Sequence, residues 1–130
     1  MATVFTKIIN GEVPCYKITE TEDCIAFLDI MPLAKGHVLI IPKKEVNNYF
    51  DLEDDLFQKV NALAKKVSKA IKKSVECTRI GVAVIGLEVP HAHVHLVPIN
   101  KLSDLDFTKK RVELTPEEFQ ELAGIISANL

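Results

Sequence analysis

A strict two-residue alternation near the C-terminal third of the chain constrains the fold more than any other feature. The segment VPHAHVHLVPI covers residues 89–99 and places His91, His93 and His95 between small or apolar residues. Successive side chains of a β-strand point to opposite faces. The pattern therefore predicts a strand with three imidazoles in a row, roughly 6–7 Å apart, and an apolar opposite face against the core.

The remaining sequence predicts short strands around two main helices. CYKITET, CIAFLDI, GHVLIIP and TRIGVAVIG resemble strands, the last ending at Gly86, and VFTKIINGE resembles a short helix ending near Gly11. Apolar residues at three- and four-residue steps predict a long helix; they are Leu56, Val60, Leu63, Ala64, Val67, Ala70 and Ile71. Thr115, Pro116 and Glu118 form the start of a capped final helix. This order indicates an α+β fold with a mainly antiparallel sheet.

Composition excludes several classes of function. The chain has 130 residues, 48% of them hydrophobic, and a formal net charge of -2, which fits one domain spanning residues 1–130. A near-neutral chain is a poor match for nucleic acid, and no apolar run has the length of a membrane span. The start lacks a secretory signal, and three separated cysteines favour reduced thiols. We therefore expect a cytoplasmic protein without a nucleic-acid or membrane partner.

The clustered histidines leave three interpretations open. Surface histidines on a half-exposed strand are the simplest, although three in alternation in a chain with four histidines make it a poor explanation. Alternate strand histidines can also chelate zinc. A neutral imidazole can instead attack phosphorus and form a covalent nucleotidyl-histidine, which water then cleaves. The spacing does not choose between the last two.

The segment HAHVHLV resembles the signature of the histidine triad (HIT) family. FTKIINGEVP, AFLDIMP, GHVLIIPKK and KRVELTPEEF are also similar to other parts of that family, so the resemblance covers essentially the whole chain and points to the short Hint-like branch. It implies a five-stranded, mainly antiparallel sheet with two main helices, and a homodimer. It also implies hydrolysis at the α-phosphate of nucleoside 5'-monophosphate derivatives, either phosphoramidates or dinucleoside polyphosphates.

The resemblance also assigns roles to particular residues. His93 would be the nucleophile, His95 would contact the phosphate or the bridging atom, and His91 and His37 would support them. The segment that holds the nucleoside is implied to be Phe27, Leu28, Asp29 and Ile30, with the Asp29 carboxylate accepting hydrogen bonds from the ribose hydroxyls. The segment aligned with the phosphate-binding turn is Gly86, Leu87, Glu88 and Val89.

The sequence departs from the family pattern at several of these positions. Leu87 and Glu88 stand where relatives often carry Gln and Ser or Thr, which removes a donor and adds a carboxylate. We hypothesise that Glu88 faces the leaving group and favours cationic amines. Some relatives hold structural zinc through positions that are here Thr3, Thr6 and Glu45. We therefore expect neither metal nor cofactor.

Three functions follow from these observations. The leading one is a metal-free nucleotidyl hydrolase of the phosphoramidase type. The second is a non-catalytic nucleotide-binding protein, which would bind AMP without turnover because a phosphate donor has been replaced by Leu87. The third is a metalloenzyme that uses the three histidines.

Overall fold

A computed structural model describes residues 2–130 of the chain. The helices are α1 (Val4–Ile9), α2 (Asp54–Ser74) and α3 (Pro116–Ala128), and short 3-10 helices cover Tyr49–Asp51 and Leu102–Leu105. The strands are β1 (Lys17–Glu20), β2 (Cys24–Leu28), β3 (Val38–Pro42), β4 (Arg79–Ala83) and β5 (Val94–Ile99). All five strands form one sheet in the order β1-β2-β3-β5-β4. Every neighbouring pair is antiparallel, so the expected α+β fold with a five-stranded antiparallel sheet is confirmed.

Two strands are shorter than the sequence predicts. β5 begins at Val94 and not at His91, because the backbone before it makes its hydrogen bonds outside the sheet. The N–H of His91 donates to the carbonyl of Val89, and the N–H of Ala92 donates to the carbonyl of Val46. β4 ends at Ala83. The chain then turns through Gly86, whose φ of 73° lies in the left-handed region that glycine adopts without steric cost.

The two faces of the sheet bury different clusters. One face packs against α2 and α3 and forms the main core, which includes Ala26, Val38, Ile40, Val94 and Leu96. In α2 the buried positions are Val60, Leu63, Ala64, Val67, Ala70 and Ile71, all of them expected from the helical periodicity. Burial of this stripe, more than local propensity, holds a helix on a sheet.

The other face carries a smaller cluster with α1 against it. Its buried members are Phe5, Ile25, Phe27, Leu39 and Ile41, which alternate in β2 and β3 with residues of the main core. Leu39 pairs with His95 across β3 and β5, so the histidines belong to this face.

Helix ends follow the local chemistry of the sequence. The Thr115 side chain accepts the N–H of Glu118, and the Glu118 carboxylate accepts the N–H of Thr115. This is the predicted capping box, with Pro116 in the first helical position. Within residues 2–130, no helix combines the length and apolar character required to cross a bilayer.

Candidate active site

All four histidines of the chain are buried and lie side by side. Their exposed fractions are 0% for His37, 1% for His91, 6% for His93 and 8% for His95. The interpretation as exposed surface histidines is therefore wrong. The ring centroids of His93 and His95 are 4.9 Å apart, and those of His37 and His95 are 5.2 Å apart. The spacing of His93 and His95 is shorter than the expected 6–7 Å, and His93 lies before β5, outside the regular strand.

Hydrogen bonds fix the tautomers of His37 and His95. The backbone N–H of Leu33 donates to His37 Nδ1 over 3.0 Å, so the ring hydrogen of neutral His37 is on Nε2. His37 Nε2 lies 2.9 Å from His95 Nδ1 and therefore donates to it. The ring hydrogen of neutral His95 is then on Nε2. Since Nε2 of His95 makes no hydrogen bond within residues 2–130 and is not sealed from solvent, it is a free donor at the edge of the site.

His93 has the opposite arrangement of its ring nitrogens. Nδ1 lies 2.7 Å from the carbonyl oxygen of His91 and must donate to it, which leaves the lone pair on Nε2. Nε2 makes no hydrogen bond within the described residues 2–130 and retains contact with solvent. The site therefore sets an unengaged lone pair on His93 beside an unengaged N–H on His95.

His91 supports this arrangement from behind. Its Nε2 donates to the carbonyl of Pro42 at the end of β3, 2.8 Å away, and its own carbonyl accepts from His93. The Phe5 ring of α1 packs edge-to-face on both histidines, with centroid distances of 6.0 Å to His91 and 4.9 Å to His93. His91 thus links the site to the sheet and does not itself open toward solvent.

Burial lowers the pKa of His37, His93 and His95 and so keeps these three imidazoles uncharged at neutral pH. Desolvation, helped by His95 and Arg111, lowers the pKa of His37 to about 3. Desolvation, helped by His93 and Arg111, lowers the pKa of His95 to about 4. The pKa of His93 is also below its ordinary value, again chiefly because the ring is buried. A neutral His93 offers a nucleophilic lone pair, whereas a protonated ring has none.

Asp29 lies next to the histidines in the loop after β2. Its Oδ2 is 3.5 Å from His37 Nε2, and its side chain is 16% exposed. The backbone N–H of Met31 donates to Oδ1 over 2.8 Å. Burial raises the pKa of the Asp29 carboxyl, while the Met31 hydrogen bond and the Arg111 charge act in the opposite direction. The carboxylate is therefore held in one orientation at the edge of the site.

The other residues expected at the nucleoside divide between the two faces of the sheet. Phe27 belongs to the cluster on the histidine face and packs against Phe5 at 6.0 Å. Strand alternation places Leu28 in the main core on the opposite face, so its side chain is turned away from the histidines. Ile30 follows the strand and is 68% exposed, which leaves an apolar side chain beside Asp29.

The segment aligned with the phosphate-binding turn is only partly directed at the histidines. Leu87 is 89% exposed, and Gly86 lines a groove beside His93. Glu88 is exposed, but its charge acts on the pKa of both His93 and Asp29, which places the carboxylate near the site. Val89 is partly buried against the cluster around Phe5.

A groove of about 580 Å³ reaches His93 from the side of β4. Its walls are the loop and 3-10 helix at residues 47–50 and the end of β4 with the following turn; they include Tyr49, Phe50, Val84, Ile85 and Gly86. Asp29 is not among its lining residues. A molecule bound at Asp29 and at His93 would therefore extend into this groove beyond the histidines.

Two residues close to the histidines were missed from sequence. Phe107 packs edge-on against His95 at 4.8 Å and against His37 at 6.2 Å, and Arg111 lies over the Phe107 ring at 5.7 Å. Both follow the second 3-10 helix, in a segment without periodicity, so no pattern in the sequence indicated them. Phe5 was assigned only to a short helix, although its place on an amphipathic turn could have indicated a packing role.

Within residues 2–130, the histidines and acids that approach one another closely enough to hold a metal are Asp29, His37 and His95. Within the same residues, the three histidines of the triad do not form such a group. His37 Nε2 and His95 Nδ1 face each other in a hydrogen bond, so a metal ion would have to replace that bond.

The positions aligned with the zinc ligands of some relatives also lie together. Thr3 and Thr6 form the capping box of α1, and the Thr6 hydroxyl donates to a carboxylate oxygen of Glu45. Hydroxyl groups are weaker zinc ligands than the thiolates and imidazoles found in structural sites. This cluster is a hydrogen-bonded link between α1 and the segment after β3.

Comparisons with known proteins agree with the fold. A model of the HIT domain matches residues 10–102. A HIT-like protein of Borreliella burgdorferi is 36% identical over 135 residues, covering 98% of this chain and 97% of that protein. The adenosine 5'-monophosphoramidase hnt1 of Schizosaccharomyces pombe is 34% identical over 132 residues, covering 100% of this chain and 99% of that protein.

A solved structure is similar over the same length. The crystal structure of a HIT-like protein involved in cell-cycle regulation from Bartonella henselae, with an unknown ligand, superposes with a TM-score of 0.86 at 32% identity. The match covers 98% of this chain and 96% of that one. The buried histidine cluster, the five-stranded sheet and these matches lead to one conclusion: the chain belongs to the HIT family.

Proposed function

We propose that this protein hydrolyses nucleoside 5'-monophosphate derivatives at the α-phosphate, phosphoramidates foremost, through a covalent nucleotidyl-His93. One observation carries the proposal. His93 is neutral, its Nδ1–H is held by the His91 carbonyl, and its Nε2 lone pair is unengaged beside the free Nε2–H of His95. The name of the S. pombe relative, adenosine 5'-monophosphoramidase, supports the same substrate class.

The bound nucleotide would span the site from Asp29 to His93. The Asp29 carboxylate accepts hydrogen bonds from the ribose hydroxyls, with Phe27 and Ile30 beside the nucleoside. The α-phosphate then reaches His93 and His95. The leaving group occupies the groove between Tyr49 and the turn at Gly86. The segment from Gly86 to Val89 lies along the phosphate, with the Leu87 side chain directed to solvent.

Two displacement steps complete the reaction. His93 Nε2 attacks the α-phosphorus while the bond from phosphorus to the leaving nitrogen breaks, and the departing amine takes a proton from solvent. A water molecule then attacks phosphorus, the bond to His93 Nε2 breaks, and the nucleoside monophosphate is released with one proton. The Nε2–H of His95 donates to a phosphate oxygen in both steps, where negative charge develops. The carbonyl of His91 stabilises the positive charge that His93 carries while it is bound to phosphorus.

A second candidate is a nucleotide-binding protein without turnover. It is favoured by Leu87, which is 89% exposed and offers no donor to the phosphate. The metalloenzyme with three histidine ligands has less support, because the potential ligand atoms that lie close together belong to Asp29, His37 and His95 and not to the triad. These alternatives differ from the main proposal in turnover and in sensitivity to a chelator.

The deciding experiment measures hydrolysis of adenosine 5'-phosphoramidate with EDTA present, in wild type and in His93→Ala. We expect turnover by wild type that is lost in the variant, because no other group replaces the nucleophile. Mass spectrometry of quenched wild type should show an AMP adduct on His93. AMP binding without turnover would replace the proposal with the binding-protein function, and activity lost on chelation would replace it with the metalloenzyme.

We further propose that two copies of the chain pair through β4. β4 is an edge strand of the sheet. Val82 on this strand is 60% exposed, and Val84, Ile85 and Phe50 are exposed close by. An exposed apolar edge strand favours pairing with another strand. Val82→Lys should convert a dimer to a monomer in sedimentation analysis, whereas Thr19→Lys on the opposite edge strand β1 should not; a wild type that sediments as a monomer would contradict the pairing.

The chain is also proposed to act as one domain in the cytoplasm, with a nucleotide as its small-molecule partner and without nucleic acid, membrane, metal or cofactor. The free thiols of Cys15, Cys24 and Cys77 support a reducing compartment. Fractionation of the native host with an antibody against the chain tests the location.

A further inference from the structure

Arg111 joins two loops that flank the histidines. Its Nη1 donates to the carbonyl of Met31 over 2.7 Å, and its Nη2 donates to the carbonyl of Phe107 over 3.2 Å. The backbone N–H of Val112 adds a hydrogen bond to the carbonyl of Pro32 over 2.9 Å. Residues 107–112 are thereby attached to the loop that follows β2, where Asp29 lies.

Met31 and Phe107, whose carbonyl oxygens accept these hydrogen bonds from Arg111, both contact residues of the site. The N–H of Met31 donates to Oδ1 of Asp29 over 2.8 Å. The ring of Phe107 covers the pair formed by His37 and His95, at 6.2 Å and 4.8 Å. One guanidinium group therefore connects the carboxylate proposed for the ribose with the cover of the histidine pair.

We propose that Arg111 is a positioning residue: it fixes the Asp29 carboxylate through Met31 and holds the Phe107 ring over His37 and His95. The inference rests on the proposed function, in which Asp29 binds the ribose and His95 the phosphate. The planar guanidinium can donate to two carbonyls at once, whereas a lysine ammonium retains the charge on a flexible stem without the fixed fork.

The positive charge of Arg111 also favours an ionised Asp29 and neutral His37 and His95. It opposes the rise in pKa that burial imposes on Asp29, and it adds to the fall in pKa of His37 and His95. Other charged or titratable groups also act on these residues. Asp29 lies near His37 and within the influence of Glu88, and His95 lies near His37 and His93.

The test combines AMP binding by calorimetry with histidine titration by NMR, neither of which requires turnover. The variants are Arg111→Gln and Arg111→Lys. The matched control is Lys110→Gln, which removes the neighbouring exposed charge. For Arg111→Gln we expect AMP to bind about 10-fold more weakly, the effect of one charge-assisted hydrogen bond. We also expect His95 to titrate at higher pH, because water enters beside a loosened Phe107 and a nearby cation is lost.

Arg111→Lys separates geometry from charge. The lysine variant should still bind AMP more weakly than wild type. The pH at which its His95 titrates, in contrast, should return part of the way to the wild-type value. Full recovery of both by lysine would overturn the positioning role, since charge alone would then suffice. Equal behaviour of Arg111→Gln and Lys110→Gln would overturn it as well. If Arg111→Gln does not fold, Arg111→Lys against wild type decides.

Failure of the proposed function gives a different result. Wild type would then not hydrolyse the phosphoramidate, whether or not it binds AMP. The titration of His95 in the Arg111 variants would still report whether Arg111 holds Phe107 in place.

Discussion

His37 donates its Nε2–H to Nδ1 of His95 across 2.9 Å, and both rings are buried. The direction of this bond follows from the Leu33 N–H, which occupies Nδ1 of His37. A histidine outside the triad therefore determines which nitrogen of His95 carries a hydrogen. His37 immediately precedes β3 and His95 lies in β5, strands that pair in the sheet, so the sheet sets the distance between the two rings.

The tautomers can be observed directly. Long-range ¹⁵N NMR spectra at pH 7 should show His37 and His95 with hydrogen on Nε2, and His93 with hydrogen on Nδ1. In His37 and His95 the Nδ1 atom accepts a hydrogen bond, and in His93 the Nε2 atom carries the free lone pair. His93 with hydrogen on Nε2 would contradict the proposed nucleophile, since its lone pair would then face the His91 carbonyl.

Replacing His37 should reduce activity without removing the nucleophile. His37→Leu deletes the donor to His95 Nδ1, so His95 can hold its hydrogen there and lose the donor on Nε2. We expect kcat for adenosine 5'-phosphoramidate to fall about 10- to 100-fold. His37→Gln is the control, because its amide N–H can still donate to His95, and it should recover part of the rate. An unchanged rate in His37→Leu would show that the hydrogen bond is not needed.

Stability should fall as the solution is acidified. Below the ordinary histidine pKa of 6.5 the unfolded chain takes up protons, whereas folded His37 and His95 stay neutral until about pH 3 and about pH 4. The unfolded state then binds more protons, so the free energy of unfolding decreases from about pH 6.5 toward pH 4. Asp29 partly offsets this loss of stability at the acid end of the range. Its carboxyl pKa is raised in the folded state, so the folded protein takes up this proton at a higher pH than the unfolded chain does.

Urea unfolding at pH 7, 6 and 5 measures this dependence. His37→Asn removes one of the neutral buried histidines and should show a shallower loss of stability with acid than wild type. Equal slopes for both proteins would contradict the assignment of the proton uptake to His37.

Two neighbouring isoleucines in α3 test the core. Ile126 is fully buried in the main core, whereas Ile125 is 42% exposed. Ile126→Ala should lower the free energy of unfolding by about 2–5 kcal/mol because it leaves a cavity. Ile125→Ala should change it by less than about 0.5 kcal/mol. Similar losses in both would mean that α3 is oriented differently on the sheet.

Glu88 should influence the choice of leaving group. Its carboxylate acts on the pKa of His93 from an exposed position. Wild type should therefore prefer a lysine over an uncharged alkylamine as leaving group, and Glu88→Gln should reduce that ratio about threefold, as for one exposed charge pair. Glu121→Gln is the control, an exposed carboxylate on α3, which packs on the opposite face of the sheet. The same ratio in wild type and Glu88→Gln would rule out this role.

Local patterns predicted most of the architecture. The periodicity from Val60 to Ile71 gave the buried stripe of α2, and the Thr115–Glu118 capping box gave the start of α3. The alternation of histidines indicated one shared face, although β5 begins only at Val94. These features succeed because they depend on residues close in the chain, where the geometry of a helix or a strand decides which side chains share a face.

The site depended on contacts that no local pattern encodes. The family resemblance indicated His37 and Asp29. Their hydrogen bonds, to His95 and to the Met31 N–H respectively, became evident only from the tertiary structure. Phe107 and Arg111 come from an irregular segment and were not anticipated. The main-core position of Leu28 shows the same limit, since a motif match assigned it to the site and the alternation of β2 turned it away.

The sequence by itself indicated that the alternating histidines would share one face, that the residues between them would face the core, and that imidazole chemistry was available. Tertiary structure alone decided which ring nitrogen of each histidine carries a hydrogen, and that the pKa values of His37, His93 and His95 fall below the ordinary value. The physical reason is that tautomer and charge depend on partners and burial supplied by distant segments. For His95 these are His37, 58 residues away along the chain, and the Phe107 ring held by Arg111.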